Sequence, residues 1–421
     1  MILLIKKNST VQYSSFDKAI SIVKKFDKNG LIAKMDIKSA FRLLTVYPGD
    51  FNLLGFKIDS DYFIDKCIPM GCSISCSTFE KNSTFLHWLT TKESNSENLD
   101  HYLDDFFFAG KANSNDCQSL ITTFVNICNK LQVPFADVKT EGPTCVMEYR
   151  YLGLTIDTRA MTVKIPDKKM KELLILIREV AFSKIVTLNK LQSLCGVLAF
   201  CTRAIPADRA FSRRLYMATS KAKKPFHLIR ITKEIFNDLM IWKMFVENFN
   251  GTSFILDDTW LSNFDMQLFT DSAGGIGKGC GCYLFGKWSI LQWPSEWYHA
   301  DILKDITFLE MIPIVLSVFL WDRVFKRKKI AFHVDNLAVV TVLNSKSSKS
   351  PRVMHLLRFI VYRSMMGHFH MKAFHISSAN NCIADALSRG QFQKFKELAP
   401  EADTFPTAVP MEFWSLLNST L

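Results

Sequence analysis

The sequence predicts a multidomain α+β chain, and three features of its hydrophobic pattern predict it. Up to about residue 160, short apolar runs are interspersed with helical periodicity, as in an α+β unit. From Pro166 to about Phe249 the pattern is helical throughout. Beyond residue 262 the order reads β-β-β-α-β-α-β-α, which fits a mixed five-stranded sheet flanked by helices. A length of 421 residues agrees with two or three compact units.

Each element has a local reason. Residues 11–30 carry Phe16, Ile20, Ile22, Val23 and Phe26 on one helical face, and Asn29-Gly30 stops that helix. Leu31–Asp36 reads as a buried strand and residues 39–46 as a helical turn. Residues 51–56 and 62–67 resemble a hairpin around Asp59-Ser60-Asp61. Pro69-Met70-Gly71 opens a helix over 74–90, which the polar stretch 92–98 ends. An amphipathic helix over 114–131 and a strand over 149–156 follow. Pro166-Asp167 opens a helix with Met170, Leu173, Leu174 and Ile177 at helical spacing, and Thr187 caps another. Asn250-Gly251-Thr252-Ser253 marks a boundary. The last region predicts strands at 266–271, 279–285 and 287–293 and a helix at 305–325. A strand at 329–335, helices at 336–345 and 351–366, a strand at 368–376 and a helix at 381–388 complete it.

Composition narrows the class. The chain is 48% hydrophobic and 22% charged, so long disorder is not expected. Its formal net charge is +12, and residues 161–250 hold 17 Lys and Arg against 7 Asp and Glu. A basic helical module suits a polyanion such as a nucleic-acid backbone, although a solvated helical surface reads the same way. The 11 cysteines form no Cys-x-x-Cys pair, which predicts reduced thiols packed as small hydrophobes rather than zinc ligands. Lys6-Lys7 closely follows the apolar start, so no signal peptide is expected. The longest apolar run, 312–321, contains Pro313 and is too short to span a bilayer. An intracellular protein, cytoplasmic or nuclear and not membrane-bound, is expected.

Two sets of acids carry the chemistry. Asp104-Asp105 lies between Tyr102-Leu103 and Phe106-Phe107-Phe108, where a hairpin turn pushes two carboxylates out of an apolar sheet. Asp36 ends an earlier predicted strand and is the third member. Mg²⁺ takes one or two carboxylates and leaves positions for phosphate and water, so three convergent acids fit a two-metal polymerase site. Read individually, the same residues are a surface turn and a helix cap. The second set is Asp271 after a strand, Glu310 in a helix, Asp335 at a strand end and Asp385 in a helix.

In order, Asp36-Ile37-Lys38-Ser39-Ala40-Phe41, Pro69-Met70-Gly71-Cys72-Ser73-Ile74-Ser75, Tyr102–Asp105, Lys139-Thr140 and Tyr151-Leu152-Gly153 resemble the successive palm motifs of reverse transcriptases. The group most similar is the reverse transcriptase/RNase H polyprotein of DIRS-type (tyrosine-recombinase) retrotransposons, over about residues 10–390; retroviral enzymes carry Gln where this chain has Met70. The resemblance implies a right-hand polymerase palm with partial fingers at 1–160 and a helical thumb/connection at 161–252. An RNase H-like α/β domain at 262–392 and a C-terminal tail at 393–421 follow.

It also implies roles. Asp36, Asp104 and Asp105 are the polymerase metal ligands, and Asp271, Glu310, Asp335 and Asp385 those of RNase H. Phe41 is a steric gate against the ribose 2′-OH, while Met70, Gly71 and Lys139 serve the nucleotide. Tyr151, Leu152 and Gly153 form the primer grip. His375 is an accessory residue in product release, and Ser377-Ser378 replaces the Pro-Gly usual after this His-Ile.

Two Mg²⁺ per site are implied, with Mn²⁺ able to substitute. The partners implied are an RNA template, a DNA primer, RNA–DNA hybrid and dNTPs. The expected activities are RNA- and DNA-directed DNA synthesis and cleavage of RNA in hybrids. Only 35 residues precede Asp36, where these enzymes carry a longer fingers segment. Two alternatives therefore stand beside this reading: a truncated copy with RNase H activity alone, and a non-catalytic nucleic-acid scaffold.

Overall fold

The computed structural model describes residues 11–136, 140–149, 153–202, 204–205, 208–220, 222–249, 251–298 and 301–418. Its contacts divide the chain into two compact units, Met1–Pro166 and Asp167–Leu421. Both mix helices and strands: the region 161–252, expected to be helical throughout, also carries short strands at Ile185–Thr187, Leu228–Arg230 and Thr252–Phe254, and most of it groups with the C-terminal mixed-sheet region.

The first unit opens with helix α1 (Phe16–Lys24), capped by the Ser15 side chain and burying Phe16, Ala19, Ile22 and Val23. Strand β1 (Leu31–Asp36) follows. The hairpin of β2 (Gly55–Ile58) and β3 (Asp61–Ile64) is shorter than expected, because Pro48–Leu54 winds into a 3₁₀ helix started by Pro48. Helix α2 spans Ser75–Ser94, and β4 (Leu99–Tyr102), β5 (Asp105–Gly110) and α3 (Asp116–Lys130) come next. Strands β6 (Glu141–Thr144), β7 (Val146–Tyr149), β8 (Leu154–Asp157) and β9 (Thr162–Lys164) complete the unit.

Four of these strands form one sheet in the order β4-β5-β1-β6. Successive side chains on a strand point to opposite faces, yet Phe106, Phe107 and Phe108 are all buried, so β5 is covered on both faces. Phe124 of α3 packs on Phe106 and Phe108, with ring centroids 4.5 and 5.3 Å away. This packing roots the end of β5 from which the Asp104-Asp105 turn projects.

The second unit begins with α4 (Asp167–Ala181), β10 (Ile185–Thr187) and α5 (Leu188–Cys201). Thr187 caps α5, its hydroxyl accepting from Lys190 N–H, as the sequence predicts. Helix α6 (Asp208–Ser220), β11 (Leu228–Arg230), α7 (Lys233–Phe249) and β12 (Thr252–Phe254) follow.

Asp238 of α7 is buried and takes Arg214 at 3.2 Å and Arg358 at 2.8 Å. Burial raises its carboxyl to about 6 against the pull of the two guanidiniums. Arg358 comes from a helix of the C-terminal region and also donates to Ala210 O at 3.0 Å. The basic helices and the mixed-sheet region are thus pinned within one unit. Asp238→Ala leaves the largely buried Arg358 without its counter-charge, and should lower unfolding free energy by about 3 kcal/mol in denaturant titration.

A short helix α8 (Asn263–Met266) stands where the sequence predicts the start of a strand, because Asp265 accepts from Ser262 N–H and Oγ at 2.8 Å. Strands β13 (Phe269–Ser272), β14 (Gly279–Leu284) and β15 (Lys287–Gln292) form an antiparallel sheet. Helix α9 spans Ile306–Phe325, β16 Lys329–Val334, α10 Leu337–Ser345 and α11 Pro351–Gly367. Strand β17 (His370–His375) pairs with β16 in parallel, and α12 covers Cys382–Ser388. The five expected strands are therefore paired as three and two, with β13 lying beside β16.

Of the expected tail, residues 393–418 contribute to the packing. Helices α13 (Phe392–Leu398) and α14 (Met411–Asn418) bury Phe395 and Phe413. Trp288 Nε1 donates to Asp403 O, and Thr407 N donates to Trp288 O, both at 2.7 Å. No helix among the described residues is long and apolar enough to cross a membrane.

Candidate active sites

The first site sits where β1 and β5 end together. Their antiparallel register places Asp36 opposite Asp105, and Ile37 N–H donates to Asp104 O at 2.9 Å. Tyr102 pairs with Asp105 across the β4–β5 hairpin, leaving Leu103-Asp104 as a two-residue turn. Leu103 takes φ +50°, a left-handed conformation that costs a non-glycine residue about 1–3 kcal/mol. Its N–H donates to Glu80 Oε2 at 3.3 Å, which helps hold the turn. The backbone thus gathers Asp36, Asp104 and Asp105 at one sheet end. Asp36 is buried, while the other two are partly exposed.

Other residues predicted for this site are placed unevenly. Phe41 lies in a 3₁₀ turn (Ala40–Leu43) shortly after β1, half-buried, with its ring edge-on to the buried Phe79 at 5.4 Å. That contact fixes a bulky ring near Asp36 in sequence, as a gate requires, and also suits a core aromatic. Met70 is exposed, and Gly71 has φ +87° with open space where a Cβ would stand. The backbone there is open to close approach by a ligand. Gly153 has φ +56°. Lys139, Tyr151 and Leu152 lie outside the described residues.

The second site is built from four elements. Asp271 on β13, Glu310 on α9 and Asp335 after β16 bring carboxylate oxygens within 4.8 Å of one another. Glu310 Oε2 is buried with no hydrogen-bond partner. Burial, reinforced by Asp271 and Asp335, raises Glu310 to about 9. Burial also raises Asp271 to about 7, with Asp335 and Asp385 adding to the shift and Ser388 opposing it. Three acids crowded in low dielectric, one with an orphaned oxygen, form a donor set that a divalent cation fits.

Asp385 on α12 stands at the edge of this group, its Oδ1 accepting from Arg389 Nε at 2.6 Å. His375 ends β17, exposed and in register with Val334, one residue before Asp335.

Several supporting residues escaped the sequence reading. Ser388 Oγ donates to Asp271 Oδ2 at 2.6 Å, and Asn381 Nδ2 donates to Thr270 O at 3.0 Å. Ser378 Oγ donates to Asp335 Oδ2 at 2.9 Å, giving a position noted only as a departure a direct hold on an acid. Ser388 lies one turn beyond Asp385 on the same helix, the single spacing signal that could have marked it.

Residues 3–156, most of the first unit, match the family model described as "Reverse transcriptase (RNA-dependent DNA polymerase)". No curated protein matches the chain. Among solved structures it is similar to the foamy viral protease-reverse transcriptase dRH in complex with double-stranded DNA, at 14% identity and TM-score 0.48. That likeness covers 87% of this chain and 61% of the other. The foamy viral protease-reverse transcriptase in complex with RNA/DNA hybrid gives 14% identity and TM-score 0.47, covering 86% and 46%. The chain thus spans about three fifths of the first relative's length and under half of the second's.

Proposed function

We propose that the chain is an RNA- and DNA-directed DNA polymerase joined to a ribonuclease H, of the DIRS-type retrotransposon group. The observation that carries this reading is the register placing Asp36 opposite Asp105 at the Leu103-Asp104 turn, inside a segment matching the reverse transcriptase family. Asp36, Asp104 and Asp105 would hold two Mg²⁺, which when bound activate the primer 3′-oxygen and neutralise charge on the departing pyrophosphate. Phe41, braced on Phe79, would occupy the space of a ribose 2′-OH and so select dNTPs. The open backbone at Met70-Gly71 would admit the nucleotide, with Lys139 near its phosphates. Tyr151, Leu152 and Gly153 would hold the primer end. The basic residues of 161–250 would bind template–primer backbone without reading bases.

Asp271, Glu310, Asp335 and Asp385 would form the hybrid-cleaving site. The acid order and the mixed strand topology support an RNase H-like domain over 262–392, and the raised Glu310 and Asp271 support a cation there. Ser388 and Ser378 would orient Asp271 and Asp335, and His375 would assist product release.

Primer extension on poly-rA/oligo-dT and cleavage of a labelled RNA–DNA hybrid, each with Mg²⁺ and with Mn²⁺, test the proposal together. Both activities are expected with either metal. Cleavage alone would reduce the chain to a ribonuclease H, and neither activity would make it a scaffold.

A further inference from the structure

A second kind of metal-ligating cluster lies beneath the catalytic turn, and no role above uses it. Ligand atoms of His87, Asp100 and His101 all lie within 4.8 Å of one another. His87 projects from α2, while Asp100 and His101 sit on β4, an edge strand of the sheet. Asp100 is 2% and His101 8% exposed, which is unusual for ionisable residues.

The nitrogen chemistry suits a bound metal ion. His87 Nδ1 faces His101 Nδ1 at 2.7 Å. Two neutral imidazoles can share one hydrogen bond there, but two imidazoliums cannot. A neutral imidazole is the form that ligates a metal, and the close approach of the two Nδ1 atoms favours that form. His101 Nε2 is buried and makes no hydrogen bond, although Glu80 Oε1 stands 3.3 Å away. A carboxylate beside the outer nitrogen of a buried histidine is the arrangement that orients metal-bound imidazole. Asp100 is held by Ser14 Oγ and by the half-exposed Lys18 ammonium at 2.8 Å, a cation that can swing out to solvent.

We propose that His87, His101 and Asp100 bind a borderline divalent ion of the Zn²⁺ class, behind the turn that carries Asp104 and Asp105. Two imidazoles and one carboxylate favour such an ion over Mg²⁺, which prefers oxygen alone. Tetrahedral binding at about 2.0–2.1 Å requires the two nitrogens to open to roughly 3.3 Å, a rotation of side chains rather than backbone. Glu80 would then orient His101 with one oxygen while its other accepts from Leu103 N–H. The ion would thereby stiffen the turn next to Asp104. The inference stands independently of the polymerase assignment.

The test is metal titration of the full chain after chelation, with Co²⁺ as visible probe and Zn²⁺ as competitor. A visible Co²⁺ spectrum displaced by about one Zn²⁺ per chain is expected for a three-ligand site. His87→Gln and His101→Gln should abolish it, and Glu80→Gln should weaken binding by about 10–100-fold. The D104N/D105N and E310Q variants should bind Zn²⁺ as the wild type does. Circular dichroism checks that each variant folds. If the histidine variants do not fold, zinc-edge absorption on the wild type decides, and should show imidazole scatterers without sulfur. No visible Co²⁺ spectrum, binding unchanged in a folded H87Q/H101Q double variant, or sulfur scattering at the zinc would each overturn the proposal.

Discussion

Replacing Asp104 and Asp105 together by Asn should abolish primer extension while hybrid cleavage continues at the wild-type rate. Asn is nearly isosteric, and the turn is held by backbone bonds that the change does not touch: Tyr102 paired to Asp105 and Ile37 N–H on Asp104 O. What disappears is two of three negative charges at the end of β1 and β5. A loss of about a thousandfold or more is expected, equivalent to roughly 4 kcal/mol of transition-state stabilisation. The acids proposed for hybrid cleavage lie in the other compact unit and should not register the change. Retained extension would remove these carboxylates from the reaction, and parallel loss of both activities in a folded variant would indicate a single shared site.

Glu310→Gln should reverse the pattern, removing hybrid cleavage and leaving extension intact. It should also alter the pH dependence of stability in a direction fixed by burial. In the ion-free chain Glu310 is raised from 4.5 to about 9, and Asp271 from 3.8 to about 7. Between those limits the folded state keeps protons that the unfolded chain has released. The stability these groups contribute is full below about pH 4 and is lost as pH rises towards 9. Thermal melting of the ion-free wild type should therefore fall across this window. Glutamine does not ionise, so the variant should fall less and melt higher than the wild type at alkaline pH. Mg²⁺ should restore the wild type there and do little for the variant, because the ion replaces the missing protons as counter-charge. A parallel pH course in both proteins would show that Glu310 does not carry the effect.

Much of this arrangement was legible in the sequence because it is local. Tyr-x-Asp-Asp followed by three phenylalanines reads as an acidic turn leading into a buried strand. The same holds for Leu31–Asp36 and for the Thr187 cap. What escaped depends on contacts remote in sequence. The partners of Asp271 are Ser388 and Asn381, more than a hundred residues away. The His87–His101 pair spans a helix and an edge strand, with no spacing rule to announce it. The segment from residue 393 on is expected as a tail, yet Phe395, Ala399, Phe413 and Leu417 all find buried seats. Two strand boundaries moved for local reasons instead. Pro48 starts a 3₁₀ helix ahead of the β2–β3 hairpin, and Ser262 with Asp265 starts a turn ahead of β13.

Templated DNA synthesis is proposed for Asp36, Asp104 and Asp105. Single-nucleotide incorporation on poly-rA/oligo-dT with Mg²⁺, comparing dTTP with the other dNTPs in the wild type and in Asp36→Asn, tests it most directly. The wild type should add dTTP selectively, and the variant should add nothing measurable. Incorporation that ignores the template, or an Asp36→Asn chain that extends at the wild-type rate, would contradict it.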